Sequence, residues 1–335
     1  MIFSLAWRKG VFLAGTAVTI ERGQSLECGR LAAAVMVVFI HARFPGNFGR
    51  AADCLARFAV PFFFALSGFF ACRAGEGQLL RRLRRVLLLA IGSSAGYLVF
   101  HCLLALAAGG SPRDALAGLN LRSLGEMLLF QASPFAGHLW YLNALCLCYG
   151  LLWLHVRRRG TGGGAGLYAL GGGLLGLYLL LEPVGGLLGW DIPYTWVRNG
   201  WLLGFPLFLL GHFLGSHPRK LSTVAAWALI ALGAGLSLTQ WFLLRPVELP
   251  LGMLLVTPAL LLFLADRPGT RLPKALTAKF GPLSTALYLL HPAVLELCEA
   301  FAPLSREPWL TPLAVLALSL VPAALWAWAG EKRRA

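Results

Sequence analysis

Ten stretches of this chain, each 15 to 23 residues long, are almost entirely apolar, and they recur from one end of the sequence to the other. Nothing else in the sequence narrows the fold as much. A helical run of about 17 to 25 apolar residues matches the ~30 Å hydrocarbon core of a bilayer. Inside that core a backbone satisfies its polar groups only as a helix or a closed barrel. Barrel strands need only about 9–11 residues, so runs this long read as helices. They cover 26–44, 55–73, 86–108, 138–156, 164–182, 201–215, 222–243, 249–265, 280–301 and 311–329. Charged residues make up 13% of the 335, against about 25% in a soluble domain. The expected fold class is all-α, a polytopic membrane helical bundle of about ten transmembrane helices.

The basic residues set the expected orientation. With the N-terminus in the cytoplasm, the inner segments hold 21 of the 29 Lys and Arg residues. The outer loops keep Arg43, Arg50, Arg57, Arg113, Arg122, Arg198, Arg245 and Arg306. Such asymmetry over short loops is the positive-inside pattern, and it places both termini in the cytoplasm. A formal charge of +15 then needs no nucleic acid, because topology and anionic phospholipid account for it. Residues 1–25 read as an N-terminal extension whose ten-residue apolar run Val11–Ile20 is too short to span and suits an interfacial helix. Residues 26–330 form one transmembrane domain, and 331–335 a basic cytoplasmic tail. The seven cysteines fall mostly inside the spans, and Cys146 and Cys148 lack the spacing of a redox or metal pair. They read as small packing residues, and no metal is expected. The glycines of 162–166 and 171–173 have no Lys-Ser/Thr ending and read as a linker and a small-residue packing face.

In a membrane bundle the informative side chains are those that cost energy to place. Glu27, Arg30 and His41 share the first span. Glu27 and Arg30 are three apart and can pair on the helix surface. The eleven residues from Arg30 to His41 turn a helix through three circles plus about 20°, so the two share a stripe about 16 Å long, with the imidazole expected at mid-depth. His291 in the ninth span stands twelve residues beyond Lys279, at nearly the height of His41, and the two imidazoles are expected to face a common cavity. Pro292 frees a backbone carbonyl there, and Tyr288 falls on the same helical face as His291. The fourth span opens with His138, Trp140, Tyr141 and Asn143, either an interfacial aromatic belt or a wall for a polyol. Ser67 and Gly68 in the second span allow close helix approach. Arg81, Arg82, Arg84 and Arg85 put four guanidinium groups within five residues. They suit anionic lipid or a polyphosphate ligand gripped bidentately, and Arg157, Arg158 and Arg159 suit either use.

These segments, in this order, resemble acyltransferase family 3, the multipass transferases that decorate bacterial glycans and lipids with acyl groups. The resemblance rests on Glu27, Arg30 and His41 in the first span, PFFFALSGFF in the second and RRLRR at 81–85. HLWYL at 138–142 and LYLLHP at 287–292 complete it. It covers about residues 26–330. Glu27 stands where the family more often has Asp.

The resemblance implies an integral-membrane O-acyltransferase of the bacterial inner membrane. It would move an acetyl or other acyl group from cytoplasmic acetyl-CoA to a hydroxyl of a glycan, a lipid-linked sugar or a related cell-envelope acceptor. It implies His41 as general base or acyl carrier, Arg30 holding CoA or the channel geometry and kept in place by Glu27, and His291 and His138 steadying the oxyanion or orienting the acceptor. Arg81, Arg82, Arg84 and Arg85 would hold the CoA phosphates, while Trp140, Tyr141, Asn143, Tyr288 and Ser67 would line the acceptor's path. The competing class is a flippase of lipid-linked sugars without acyl-transfer chemistry, against which stands the absence of a visible inverted repeat.

Overall fold

The computed structural model describes residues 16–161, 163–267, 269–301 and 307–332, and no strand occurs among them. The chain runs through α1 (Thr16–His41), α2 (Gly46–Ala56), α3 (Ala59–Ala71), α4 (Glu76–Ala107), α5 (Pro112–Leu116) and α6 (Leu121–Phe130). It continues through α7 (Trp140–Arg159), α8 (Ala165–Leu179), α9 (Gly185–Leu187), α10 (Tyr194–Val197) and α11 (Phe205–Ser216). The last elements are α12 (Thr223–Thr239), α13 (Met253–Ala265), α14 (Lys274–Thr277), α15 (Phe280–Phe301) and α16 (Thr311–Lys332). Single π-helical turns, Leu180–Val184, Gly200–Gly204 and Gln240–Leu244, extend α8, precede α11 and extend α12. Of the apolar run Val11–Ile20, residues 11–15 lie outside the described residues and the rest belong to α1. The tail beyond Lys332 also lies outside them.

All ten apolar runs are helical. Among the described residues, seven helical segments are long and apolar enough to cross a membrane: Gly23–His41, Gly46–Ala71, Glu76–Ala107, Gly137–Arg159, Ala165–Leu187, Thr223–Leu244 and Thr311–Ala329. The other three fall short for visible reasons. With its π-helical start, α11 covers only Gly200–Ser216, and α13 has 13 residues. Helix α15 is long, but Ser284, Thr285, His291, Glu296 and Glu299 interrupt its apolar run. Large side chains point outward along the long helices: Ile91, Val99 and Leu103 of α4 are 57–61% exposed, and Val321 and Leu325 of α16 are 60% exposed. Such faces are stable against lipid. The chain is a multi-pass helical membrane protein.

Contacts divide the chain into two units, with the boundary inside α3 after Phe63. The first unit comprises residues up to Phe63 and those from Arg219 onward. In it α1 packs on α15, α13 and α16, α12 on α13, and α15 on α16. Its core includes Ala33, Ala34, Val38, Leu261, Leu287 and Val315, all fully buried. The second unit, Phe64–Pro218, packs α4 on α7 and α11 on both α7 and α8. Phe64, Leu139, Leu152, Tyr178, Phe205 and Phe208 fill its interior. In this unit α3 and α11 touch backbone to backbone. A Cβ on Gly68 would run into the Phe208 carbonyl, and one on Gly211 into the Ala65 carbonyl. The Ser67–Gly68 step therefore serves close helix approach, as small residues do in membranes. The tract 171–173 does less than its composition suggests: Gly171 meets Leu209, but Gly172 and Gly173 have open space around them.

Candidate functional site

Helix α1 places Glu27, Arg30 and His41. It is unbroken from Thr16 to His41, so the eleven-residue register holds and Arg30 and His41 share a stripe about 16 Å long. Its end falls three residues before the expected 44. Phe44 precedes Pro45, a position that disfavours helical backbone, and Pro45 is the N-cap of α2 with extended backbone (φ −77°, ψ 163°). His41 is thus the last helical residue and is exposed, whereas a longer helix would have set it deeper in the run. Glu27 Oε1 lies 3.9 Å from Arg30 Nη1, and both side chains are largely buried.

The first unit brings the two expected imidazoles together. The His41 ring centroid is 5.1 Å from that of His291, with the planes inclined at 50°. His291 is fully buried on α15, and its Nδ1 lies 3.0 Å from the Leu287 carbonyl. A carbonyl can only accept, so Nδ1 carries the proton, which fixes the tautomer and the ring orientation. Pro292 sits inside α15 without ending it, and it removes the N–H that would have bonded the Tyr288 carbonyl. The Tyr288 ring is 6.4 Å from that of His291. All five first-unit candidates therefore lie on two helices packed side by side.

A buried charge network lies at the His41 end of α1, and sequence spacing reveals only part of it. Asp53 of α2 takes Arg57 Nε at 3.1 Å on one oxygen and stands 3.4 Å from Arg43 Nε with the other. Arg57 Nη1 donates to Glu248 Oε2 at 2.7 Å. The Asp53–Arg57 spacing of four was legible on a helix. Glu248 was not, because it lies 191 residues from its partner.

The remaining candidates belong to the second unit. Arg81, Arg82, Arg84 and Arg85 occupy the first turns of α4, with Arg81 and Arg84 exposed. Arg82 Nη1 donates to the Phe70 carbonyl at 2.7 Å. Arg157 Nε stands 3.8 Å from Glu76 Oε1 at the start of α4. Arg157, Arg158 and Arg159, at the end of α7, therefore share one end of the helix pair with the Arg81–Arg85 cluster. That concentration of guanidinium groups suits a polyanion.

At the opposite end of α7, Gly137–Leu139 form a 3₁₀ turn. There His138 is buried with its ring against the Tyr97 edge at 5.0 Å. Trp140 and Tyr141 pack on Phe64 at 5.9 and 4.7 Å, and Asn143 Nδ2 donates to the Gln131 carbonyl at 3.2 Å. Arg198, in sequence no more than an outer-loop arginine, lies over the Trp140 ring at 5.1 Å and the Tyr194 ring at 4.7 Å. It also donates to the Gly137 carbonyl at 3.2 Å. Ser67 is half-buried beside the α3–α11 contact.

Chemically, the first unit offers a proton acceptor beside a second imidazole whose tautomer is fixed, and the second unit offers a basic helix end and an aromatic wall. Among the described residues no group of three or more His, Cys, Asp or Glu side chains is arranged to hold a metal ion. Comparison with known proteins bears on which chemistry these groups serve. Searches of curated proteins and of solved structures each returned no match. A family model described as an acyltransferase domain, Acyl_transf_3, matches residues 24–330. That span holds both imidazoles, the basic helix end and the aromatic wall and covers nearly the whole chain, which therefore belongs to acyltransferase family 3.

Proposed function

We propose that the protein is an O-acyltransferase of the bacterial inner membrane, with ten spans and both termini in the cytoplasm. It transfers an acetyl group from cytoplasmic acetyl-CoA to a hydroxyl of a glycan or lipid-linked sugar of the cell envelope. The observation that carries the reading is the pairing of His41 with His291 in a chain of acyltransferase family 3. The arginines at the start of α4 and the end of α7 bind the phosphates of CoA, for which the planar guanidinium is the fitting donor. His41 takes the proton of the acceptor hydroxyl as that oxygen attacks the thioester carbonyl. The tetrahedral adduct collapses, the C–S bond breaks, and the departing thiolate takes the proton back from the imidazolium, leaving an ester and free CoA. His291, held by its bond to Leu287, sets the orientation of the His41 ring. Arg30, kept in place by Glu27, holds CoA or the channel geometry about 16 Å further along the same stripe. Trp140, Tyr141 and Asn143 supply an aromatic and amide surface for a sugar.

A general base contributes about 10²- to 10⁴-fold to a rate, so His41→Ala is expected to lose acetyl-CoA-dependent thiol release by that factor while still binding CoA. A flippase would release no thiol in either form. Retention of full activity in the variant would remove His41 from the chemistry.

A further inference from the structure

The charge network beside α1 is more committed than a packing device requires. Arg43 Nε donates to the Ile40 carbonyl at 3.2 Å, and the same guanidinium forms an ion pair with Asp53, whose Oδ2 lies 3.4 Å from Nε. Asp53 is held in turn by Arg57, whose guanidinium also pairs with Glu248 and lies 5.5 Å over the Trp241 ring. The Asp53, Arg57 and Glu248 side chains are 7%, 12% and 9% exposed, and that of Arg43 is 60% exposed. Two guanidinium groups and two carboxylates make the set neutral, as buried ions require. The contacts form one line that starts at the backbone of the residue before His41 and ends in the interior of the first unit.

That starting point matters because the last four carbonyls of a helix have no intrahelical N–H. Ile40 is one of these, and His41 is the final helical residue. A terminal turn frays unless something outside the helix holds it, and a reacting group must be held within about 0.5 Å and 10–20°. We infer that Arg43, anchored on Asp53, is a positioning residue that holds the last turn of α1 and so keeps the His41 ring against His291. The inference rests on the proposed role of His41 as base.

The test uses full-length protein in nanodiscs and begins with Arg43→Gln, which leaves the buried Asp53–Arg57–Glu248 pairs in place. With acetyl-CoA and an envelope lipid extract as acceptor, kcat is expected to fall about tenfold. KM for acetyl-CoA and the thermal unfolding midpoint should stay within error, and Arg43→Lys should recover at least a third of the activity. Carbethoxylation of His41 by diethyl pyrocarbonate, read by mass spectrometry, should run at least threefold faster in Arg43→Gln, because the turn carrying the ring is no longer tied. Equal modification rates in wild type and variant would overturn the inference whatever the activity. So would a KM that rises in step with the loss, which would make Arg43 a donor contact. His41→Ala alongside separates the two claims. An active His41→Ala defeats the base, whereas an inactive one beside a fully active Arg43→Gln defeats only the positioning role.

Discussion

At the residue scale the proposed chemistry rests on two imidazoles 5.1 Å apart. Their unequal surroundings divide the labour: His291 is fully buried and bonded to a backbone carbonyl, while His41 is exposed at a helix end. In the proposed reaction the exposed ring exchanges a proton with the arriving hydroxyl, and the buried one orients it. His291→Ala is therefore expected to lower kcat about 10- to 100-fold, less than loss of the base itself. Its KM for acetyl-CoA should stay within a factor of two by steady-state thiol release, and an unchanged kcat would reduce His291 to packing. This pair was legible because each histidine could be measured along its own helix from a cation near the span's start. The Arg43–Asp53–Arg57–Glu248 network was not. Helical spacing reveals partners three or four residues apart, and two members of this network meet across 191 residues.

At the element scale, length and apolarity set where helices form, and a few residues set where they end or touch. Pro45 stops α1 at His41 and starts α2, whereas Pro292 leaves α15 intact, since neighbouring helices tolerate a missing backbone bond in a membrane bundle. Apolar patterning carries no sign of the π-helical turns. Nor does it separate glycines at a contact, such as Gly68 and Gly171, from those facing open space, such as Gly172, because a glycine's role depends on what stands opposite it. Gly211→Ala would drive a methyl into the Ala65 carbonyl where α3 meets α11, and overpacking of this kind costs about 1–3 kcal/mol. Its unfolding midpoint in detergent should fall by several degrees. Gly172→Ala, with open space around it, should leave the midpoint unchanged or raise it, since alanine favours a helix over glycine by about 1 kcal/mol. Equal effects at the two positions would contradict the assigned contact.

At the scale of the whole molecule, the membrane character was legible from the apolar runs, and among the described residues seven helical segments are long and apolar enough to cross a bilayer. The joining of Arg157–Arg159 with Arg81–Arg85 was less visible, because only the antiparallel packing of α4 on α7 brings those ends together. If this basic end holds the CoA phosphates, reversing the charge of Arg82 and Arg85 together should raise KM for acetyl-CoA at least tenfold while kcat changes less than threefold. The opposite pattern would leave the cluster as a lipid anchor. The most direct test of the central claim is thiol release from acetyl-CoA by the purified protein in nanodiscs, wild type beside His41→Ala, with CoA binding measured on the same samples. Both proteins are expected to bind CoA, and only the wild type to release thiol at an appreciable rate. Equal release by the two would contradict it, as would a wild type that neither binds CoA nor releases thiol.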